Sequence, residues 1–560
     1  MTENRGSLGE LSRRNVLLAS AATVAMQAIA LCRSTSPARA DIVTITGHVV
    51  EDIDETGLRR AGAPGIPGAM VSNGREVAIT DLDGRWQLPI TDGDSVFIIK
   101  PSHWSLPGKA TGVPQFSRLH QPAGSPQNMP RRYSGVAPTG DLPGSIDFVL
   151  QRRPEPSRFD VVLVADTQPG NDEELSFVRD AILAPIAGKP AAFAIHHGDV
   201  VGDRLDLLER YVRMLETTGL VWHHCPGNHD LNLDCMDPSY ALETWKRVFG
   251  PPHYAFQYGG ATFIILNNVD YFGSGARGAG RPYRGLIGKR QLAFVANVLR
   301  NVPKDELVVV SMHIPLTNHE APGNPADVTT DRQALLAMLS DRPHSVSFSG
   351  HSHTTEHHLL GAEHGFTRRQ PHHHQVLTAA CGSWWSGPRD HRGIPVAISR
   401  DGSPKGYHVL SIDSNRYTTR YIAADASGPM QMRVFVARRQ ATGEAWQVGC
   451  QFGCNEVVGT EVYVDVFDGS AMTNVTLSVV GSAHGPISMT RVGSPNPFVA
   501  EFFAHHAELC KPWVAASHSS HLWSGPLPRD LSPGVYRLAA HAVDHFGRQH
   551  SADLLLEITA

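Results

Sequence analysis

The sequence predicts an α/β core with an all-β domain on either side. Three patterns carry that prediction. From residue 158 to residue 427, apolar runs of strand length alternate with stretches of helical spacing. From 42 to 100, short apolar runs are separated by Gly, Pro, Asn and Asp turns, and the same pattern returns from about 430 to 560. At 560 residues the chain exceeds what one hydrophobic core supports. The expected segments are 1–40, a targeting peptide; 41–157, an N-terminal β-sandwich with a long Pro-rich loop; 158–427, the α/β domain; and 428–560, a C-terminal β-sandwich.

The first segment carries Ser12-Arg13-Arg14-Asn15-Val16-Leu17, a twin-arginine pattern. An Ala-rich apolar run extends to Leu31, and Ala38-Arg39-Ala40 offers a small-residue cleavage site. The run is shorter than a typical membrane span. The expectation is therefore export by the twin-arginine machinery to the periplasm or beyond, with no stable membrane insertion after cleavage. Leu31 is too large for a lipoprotein signal at Cys32. Residues 1–40 hold five basic and two acidic side chains, so cleavage moves the net charge from −5 to −8. An acidic chain argues against nucleic acid as a partner. An oxidising compartment permits disulfides. Cys450–Cys454 and Cys225–Cys235 are the candidate local pairs, with buried thiols as the alternative.

In the N-terminal domain "VTITGHVV", "AMVSNGREVAITD", "GRWQLPI" and "SVFIIK" read as strands, and the Pro-rich stretch 101–158 reads as a long loop. In the core, "FDVVLVAD", "FAIHHGD", "LVWHHCPG", "ATFIILNN", "ELVVVSMH" and "SVSFSG" read as strands, and "QVLTAACG", "GYHVLSID" and "RYTTRYIAA" complete the sheets. Leu205, Leu208, Val212 and Leu215 fall at helical spacing before Gly219, a C-cap. "DPSYALETWKRVFG" and "KRQLAFVANVLRN" read as helices. Thr330-Asp331-Arg332-Gln333 reads as a capping box ahead of "ALLAML". In the C-terminal domain "MRVFVARR", "TEVYVDVFD", "NVTLSVVG", "GVYRLAAHAVD" and "SADLLLEI" read as strands.

The chemistry lies at the strand ends of the core. One strand ends in Asp166-Thr167-Gln168, a second in Gly198-Asp199 with Asp203 following, and a third in Gly227-Asn228-His229-Asp230. Two more end in Met312-His313 and in Gly350-His351-Ser352-His353. Ligand sites of open α/β sheets lie at that edge. Each motif alone is weak, since GNHD is a commonplace turn and HxH is frequent on surfaces. Together, in this order, they resemble the calcineurin-like metallophosphoesterase superfamily, whose pattern is D-x-H/Q, GDxxxD, GNH[D/E], a lone His, and GHxH. The resemblance implies a four-layer αββα sandwich core and two divalent metals.

In the resemblance Asp199 bridges the metals. Asp166, Gln168 and His353 complete one site, and Asn228, His313 and His351 the other. Gln168 replaces the commoner histidine, and its harder amide oxygen favours manganese or iron over zinc, so Mn, Fe and Zn all stay open. A metal pair lowers the pKa of bound water, so attack on phosphorus needs no separate base. His229 faces the leaving group as its acid. Asp230 would orient that imidazole, and Asp203 would hold a ligand or cap a helix.

The flanking domains sharpen the resemblance. "GHVVEDIDETG…DLDGRWQLPI" is similar to the transthyretin-like or carboxypeptidase-regulatory module of an exported bacterial branch, and the C-terminal segment to that branch's terminal β-domain. "ACGSWWSGPRDHRG" follows GHSH closely, so Trp384, Trp385 and Arg389 are candidate substrate residues. Loops 101–158 and 382–408, carrying His103, Trp104, His120 and Tyr133, are expected over the metal edge. Of the thirty histidines, His372–His374 read as a solvated loop. His196, His197, His223 and His224 should split between the faces of their strands. His319 and His357 are candidates for the pocket. The expected partner is a small or glycan phosphoester, such as a sugar-phosphate or an envelope-derived phosphodiester. The competing classes are a non-catalytic carbohydrate- or surface-binding protein on this scaffold, and an extracellular nuclease or nucleotidase.

Overall fold

The computed structural model describes residues 42–108, 111–128, 131–279, 281–424, 430–440, 443 and 445–560. The twin-arginine segment lies outside the described residues. Among those described, no helix is long and apolar enough to cross a membrane.

Two sheets form the centre. The first runs Trp222–Cys225, Phe193–His197, Arg158–Val164, Gly406–Asp413, Arg416–Ala423. Its first three strands are parallel, and the last two pair antiparallel. The second runs Tyr254–Tyr258, Ala261–Ile265, Leu307–Ser311, Ser345–Ser349, His372–Val376, Glu356–Leu360, with parallel pairing through its middle.

Strand alternation builds the layers. Val161 and Leu163, with Phe193 on the neighbouring strand, face the second sheet, in one core with its Phe256 and Phe263. Val162 and Val164 face the other way, onto Leu175, Val178, Leu208 and Tyr211 of the covering helices. Burial on both faces explains why these strands read as continuous apolar runs. Phe294, Val298, Leu335 and Leu339, from helices Gly288–Arg300 and Arg332–Leu339, cover the second sheet. The result is the four-layer αββα sandwich.

The N-terminal strands form two four-stranded sheets, and those after residue 430 form two five-stranded sheets. The first pair packs on the core through Phe97, whose ring meets Phe294 edge-on at 5.8 Å.

Several local expectations are corrected. The Pro-rich stretch is not structureless: it contains Trp104–Ser105, Ser117–Leu119 and Phe148–Arg152, each paired into a sheet. "DPSYALETWKRVFG" splits into a turn at Pro238–Tyr240 and the helix Glu243–Phe249. The Thr330–Gln333 capping box does not form: the Thr330 hydroxyl donates to the Gly285 carbonyl at 2.8 Å, and Asp331, which precedes the helix, makes no side-chain cap bond to it. The Asp331 carboxylate accepts the amides of Ile287 (2.9 Å) and Gly288 (2.8 Å), at the start of the neighbouring helix. "PFVAEFFAH" forms a helix, Pro497–His505, capped by Asn496.

His372–His374 is a buried strand, not a solvated loop. Hydroxyls on the adjacent strand make this possible. Ser345 and Ser347 bond His372, and Ser347 and Ser349 bond His374. The Cys225 thiol is buried and donates to the His196 carbonyl at 3.6 Å, while that of Cys235 donates to Tyr240 at 3.7 Å, so the two are not joined to each other. Cys450 and Cys454 are exposed thiols.

Candidate metal centre

Five strands of the two sheets end at one edge, and the turn after each carries a polar side chain inward. These turns are tight. Asp166, Gln168, Asp199, His351 and His353 all sit at positive φ, from 38° to 78°, as do Asp203, Trp384 and Trp385. Non-glycine residues rarely adopt this conformation, and its concentration here marks strain held by the surrounding packing. The motif glycines have a steric reason. A Cβ at Gly227 would fall on the Asp199 carboxylate, and one at Gly350 on that of Asp166.

The side chains converge. Asp199 turns Oδ2 to the Gln168 amide at 2.7 Å and Oδ1 to His313 Nε2 at 3.3 Å. His313 Nε2 is 3.0 Å from Asn228 Oδ1 and 3.2 Å from His351 Nδ1. On the other side, His353 Nε2 is 3.7 Å from Asp166 Oδ1. The structure thus brings Asp166, Gln168 and His353 to one side of Asp199, and Asn228, His313 and His351 to the other. Asp166 and His313 form the buried floor, and the remaining five line a cavity of about 550 Å³.

This donor set fits two cations. Acidic oxygens, an amide and imidazoles are packed together with their charges in conflict. Burial, and then the neighbouring Asp199, push Asp166 up to about 7. Burial works against ionisation of Asp199 too, yet His313 and His229 hold its carboxyl below the ordinary range. Burial opposes protonation of His313, but the Asp199 charge raises it to about 9. Burial holds His353 down to about 3. A cation on each side of Asp199 would replace these strained proton arrangements with ligand bonds. Gln168 presents its nitrogen to Asp199, and a half-turn of the amide would present the oxygen instead. His353 Nδ1 lies 2.8 Å from the Gly382 carbonyl and His313 Nδ1 2.8 Å from that of His197, so each ring turns Nε2 to the centre.

His229 stands at the cavity wall, half-exposed, with Nδ1 2.8 Å from Asp203 Oδ1. This corrects the assignment of its partner. Asp230 spends its carboxylate on the backbone amides of Gly227, Val200 and Val201, at 2.8–3.2 Å. It ties two ligand turns together, and Asp203 orients the imidazole.

Residues 159–355 match the family model for calcineurin-like phosphoesterases, and residues 374–550 match that for the C-terminal domain of such phosphoesterases. The chain belongs to the calcineurin-like phosphoesterases. Among solved structures, this phosphoesterase is similar to a purple acid phosphatase from yellow lupin (Lupinus luteus) seeds, at 11% identity and a TM-score of 0.36. The alignment covers 70% of this chain and 66% of that one, just under two thirds of its length. No curated protein sequence matches.

The phosphoesterase's candidate substrate residues separate in the structure. Trp384 lines the cavity and stacks on His353, ring centroids 4.1 Å apart. Trp385 is buried beneath, its Nε1 donating to the Thr167 carbonyl at 2.9 Å, so it supports the Asp166–Gln168 turn instead. Arg389 is exposed, paired with Glu173 off the cavity. The 101–128 part of the Pro-rich stretch packs elsewhere: His103 bonds the Glu155 amide, and Trp104 lies under Arg152. Of the residues named in 101–158, Tyr133 reaches the edge of the site, donating to the Asp203 carbonyl at 2.8 Å.

His196, His197, His223 and His224 do divide between strand faces, and none lines the cavity. His197 bonds Ser311, and His223 stacks on Phe256 at 3.7 Å. His357 is held by Asp468 and His373 and also lies off it. Sequence reasoning missed the far wall: Arg281, Tyr283, Asn318, Glu320, Asp327 and Arg400. Arg400 belongs to the 382–408 loop expected over this edge, and Tyr283 to the short strand Tyr283–Gly285; the others come from stretches without periodicity or motif, so only tertiary contact reveals them.

Proposed function

We propose that the protein is an exported hydrolase of a small phosphate ester, acting through two divalent cations of the manganese, iron or zinc class. The observation that carries the reading is the buried Asp199 carboxylate, with Gln168 at one oxygen and His313 at the other, the latter itself against Asn228 and His351. When bound, the two cations would supply a Lewis-acid clamp and a water acidic enough to attack phosphorus near neutral pH.

The chain's own residues do the rest. Asp199 would hold the cations between its two oxygens, and the positive-φ turns fix its neighbours before substrate arrives. His229 donates a proton from Nε2 to the departing oxygen while Asp203 holds Nδ1. Asp230 keeps the GDVVGD and GNHD turns in register. Trp384 backs His353 and shapes the entrance.

The cavity supports a compact substrate. Its far wall offers two cations already engaged, Arg281 with Asp327 and Arg400 with Glu320. Carboxylates beside the arginines disfavour a long polyanion, which argues against the nuclease reading. Asn318 and Glu320 beside an aromatic wall suit a hydroxylated group, consistent with a sugar-phosphate or an envelope-derived phosphodiester. The competing reading as a non-catalytic binding protein lacks support, because no ligand position is missing.

The test is metal analysis with a screen of phosphomonoesters, phosphodiesters and nucleotides. Turnover that depends on a tightly held pair of cations and is lost in Asp199→Asn is the expected result. Full activity in that variant would overturn the mechanism.

A further inference from the structure

We propose that His319, Glu356 and His358 form a third cation site, built from none of the ligands above, which fastens the far wall of the cavity. What that wall covers rests on the phosphoesterase reading, whereas the site stands on its own residues.

Glu356 and His358 alternate onto the same face of strand Glu356–Leu360, and both are buried. His357, between them, points to the opposite side, toward Asp468. His358 Nε2 lies 2.7 Å from Glu356 Oε2. The third group comes from the loop after His313. The His319 amide donates to the same Glu356 oxygen at 3.0 Å, and its ring lies against that of His358, centroids 4.4 Å apart. One ligand atom from each of the three falls within 4.8 Å of the others.

Two imidazoles and a carboxylate are a recognised zinc set, with bonds of about 2.0–2.2 Å and a fourth position left for water. Ligands on such an ion stand roughly 3.3–3.6 Å apart by tetrahedral geometry. To reach this, His358 Nε2 and Glu356 Oε2 exchange their 2.7 Å hydrogen bond for ligand bonds and part by about 0.6–0.9 Å, and the exposed His319 side chain swings in to complete the set, leaving one face open to solvent. Glu356 also accepts from Thr354 at 2.7 Å, which fixes the carboxylate in place as an outer partner would in a metal site.

The consequence lies in the loop. His319 sits between Asn318 and Glu320, both on the cavity wall. The same loop supplies the Ala326 carbonyl, 3.0 Å from His351 Nε2, and Asp327. A cation joining His319 to the sheet edge would hold this wall against the ligand cluster.

The test uses zinc alone on the full-length protein: wild type, His319→Ala, Asp199→Asn and the double variant, each desalted and analysed for metal. The expected result is one equivalent fewer in His319→Ala than in wild type, and one zinc retained by Asp199→Asn but lost from the double variant. The thermal midpoint of Asp199→Asn should rise with zinc, and that of the double variant should not. Equal zinc in wild type and His319→Ala, or equal responses of Asp199→Asn and the double variant, would overturn the third site. If Asp199→Asn instead keeps all the zinc of wild type, the two-cation reading fails while the third site is still judged by His319→Ala. Circular dichroism confirms that each variant is folded.

Discussion

Asp203 holds the imidazole of His229, with 2.8 Å between Oδ1 and Nδ1, four residues beyond the carboxylate that bridges the donor sets. His229 sits at the cavity wall and Asp203 is exposed behind it, neither among the buried ligands. In the proposed mechanism this position separates proton delivery from metal binding, so variants should remove the two independently.

His229→Ala should therefore keep its metal and lose about 10²–10⁴-fold in kcat on an alkyl phosphate, the range for a positioned acid. On an aryl phosphate, whose leaving group departs as a stable anion, the loss should be much smaller. Metal analysis beside the two rate measurements checks this. Equal losses on both esters would assign His229 to binding.

Asp203→Asn tests the positioning role. The amide can still meet Nδ1 but carries no charge to favour the protonated ring. Burial opposes protonation of His229, and the Asp203 carboxylate at Nδ1 favours it. Removing Asp203 should move the alkaline limb of the alkyl-ester pH–rate profile to lower pH, with the aryl-ester profile unchanged. An unshifted limb would place Asp203 outside the mechanism.

Trp384→Ala removes the ring stacked on His353 at the entrance. An aromatic contact of this kind is worth about 0.5–1.5 kcal/mol. Because Trp384 also lines the cavity, KM for a phosphate ester that packs on this wall should rise, with metal content preserved. Arg389→Ala, off the cavity, should leave KM unchanged in the same assay.

The seam between the core and the C-terminal domain offers a pH-dependent stability test on residues outside the ligand set. His521 is fully buried between Asp465 (Nδ1, 2.7 Å) and Asp401 (Nε2, 2.9 Å). Burial opposes its charge, but the two carboxylates raise it to about 10. The folded value exceeds the unfolded one of about 6.5, so this stabilisation is complete below about 6.5 and is lost as pH rises through about 10. His521→Gln should cost about 3–5 kcal/mol at pH 6, as for a broken buried pair. The gap in melting temperature from wild type should then narrow between pH 7 and 10. A gap independent of pH would mean that the ring is neutral in the fold.

The ligand residues and the α/β order were legible because both are local. Apolar runs of strand length, each ending in a glycine turn with Asp, Asn or His beyond it, state what a sheet edge will carry. The same reasoning failed where a residue's partner is remote. Asp230 follows His229 directly, yet its carboxylate turns back to three amides, and Asp203 takes the imidazole. His372–His374 looked too polar to bury, and serines on a strand 25 or more residues away satisfy them.

The sequence by itself determined the layered core, the bridging carboxylate and the donor types around it, since periodicity and turn chemistry act over a few residues. Only the tertiary structure decided which carboxylate holds His229, which tryptophan faces the cavity, and that Arg281, Glu320 and Arg400 close its far side. Those choices depend on which distant group satisfies a charge or hydrogen bond at close range, and spacing along the chain carries no record of that.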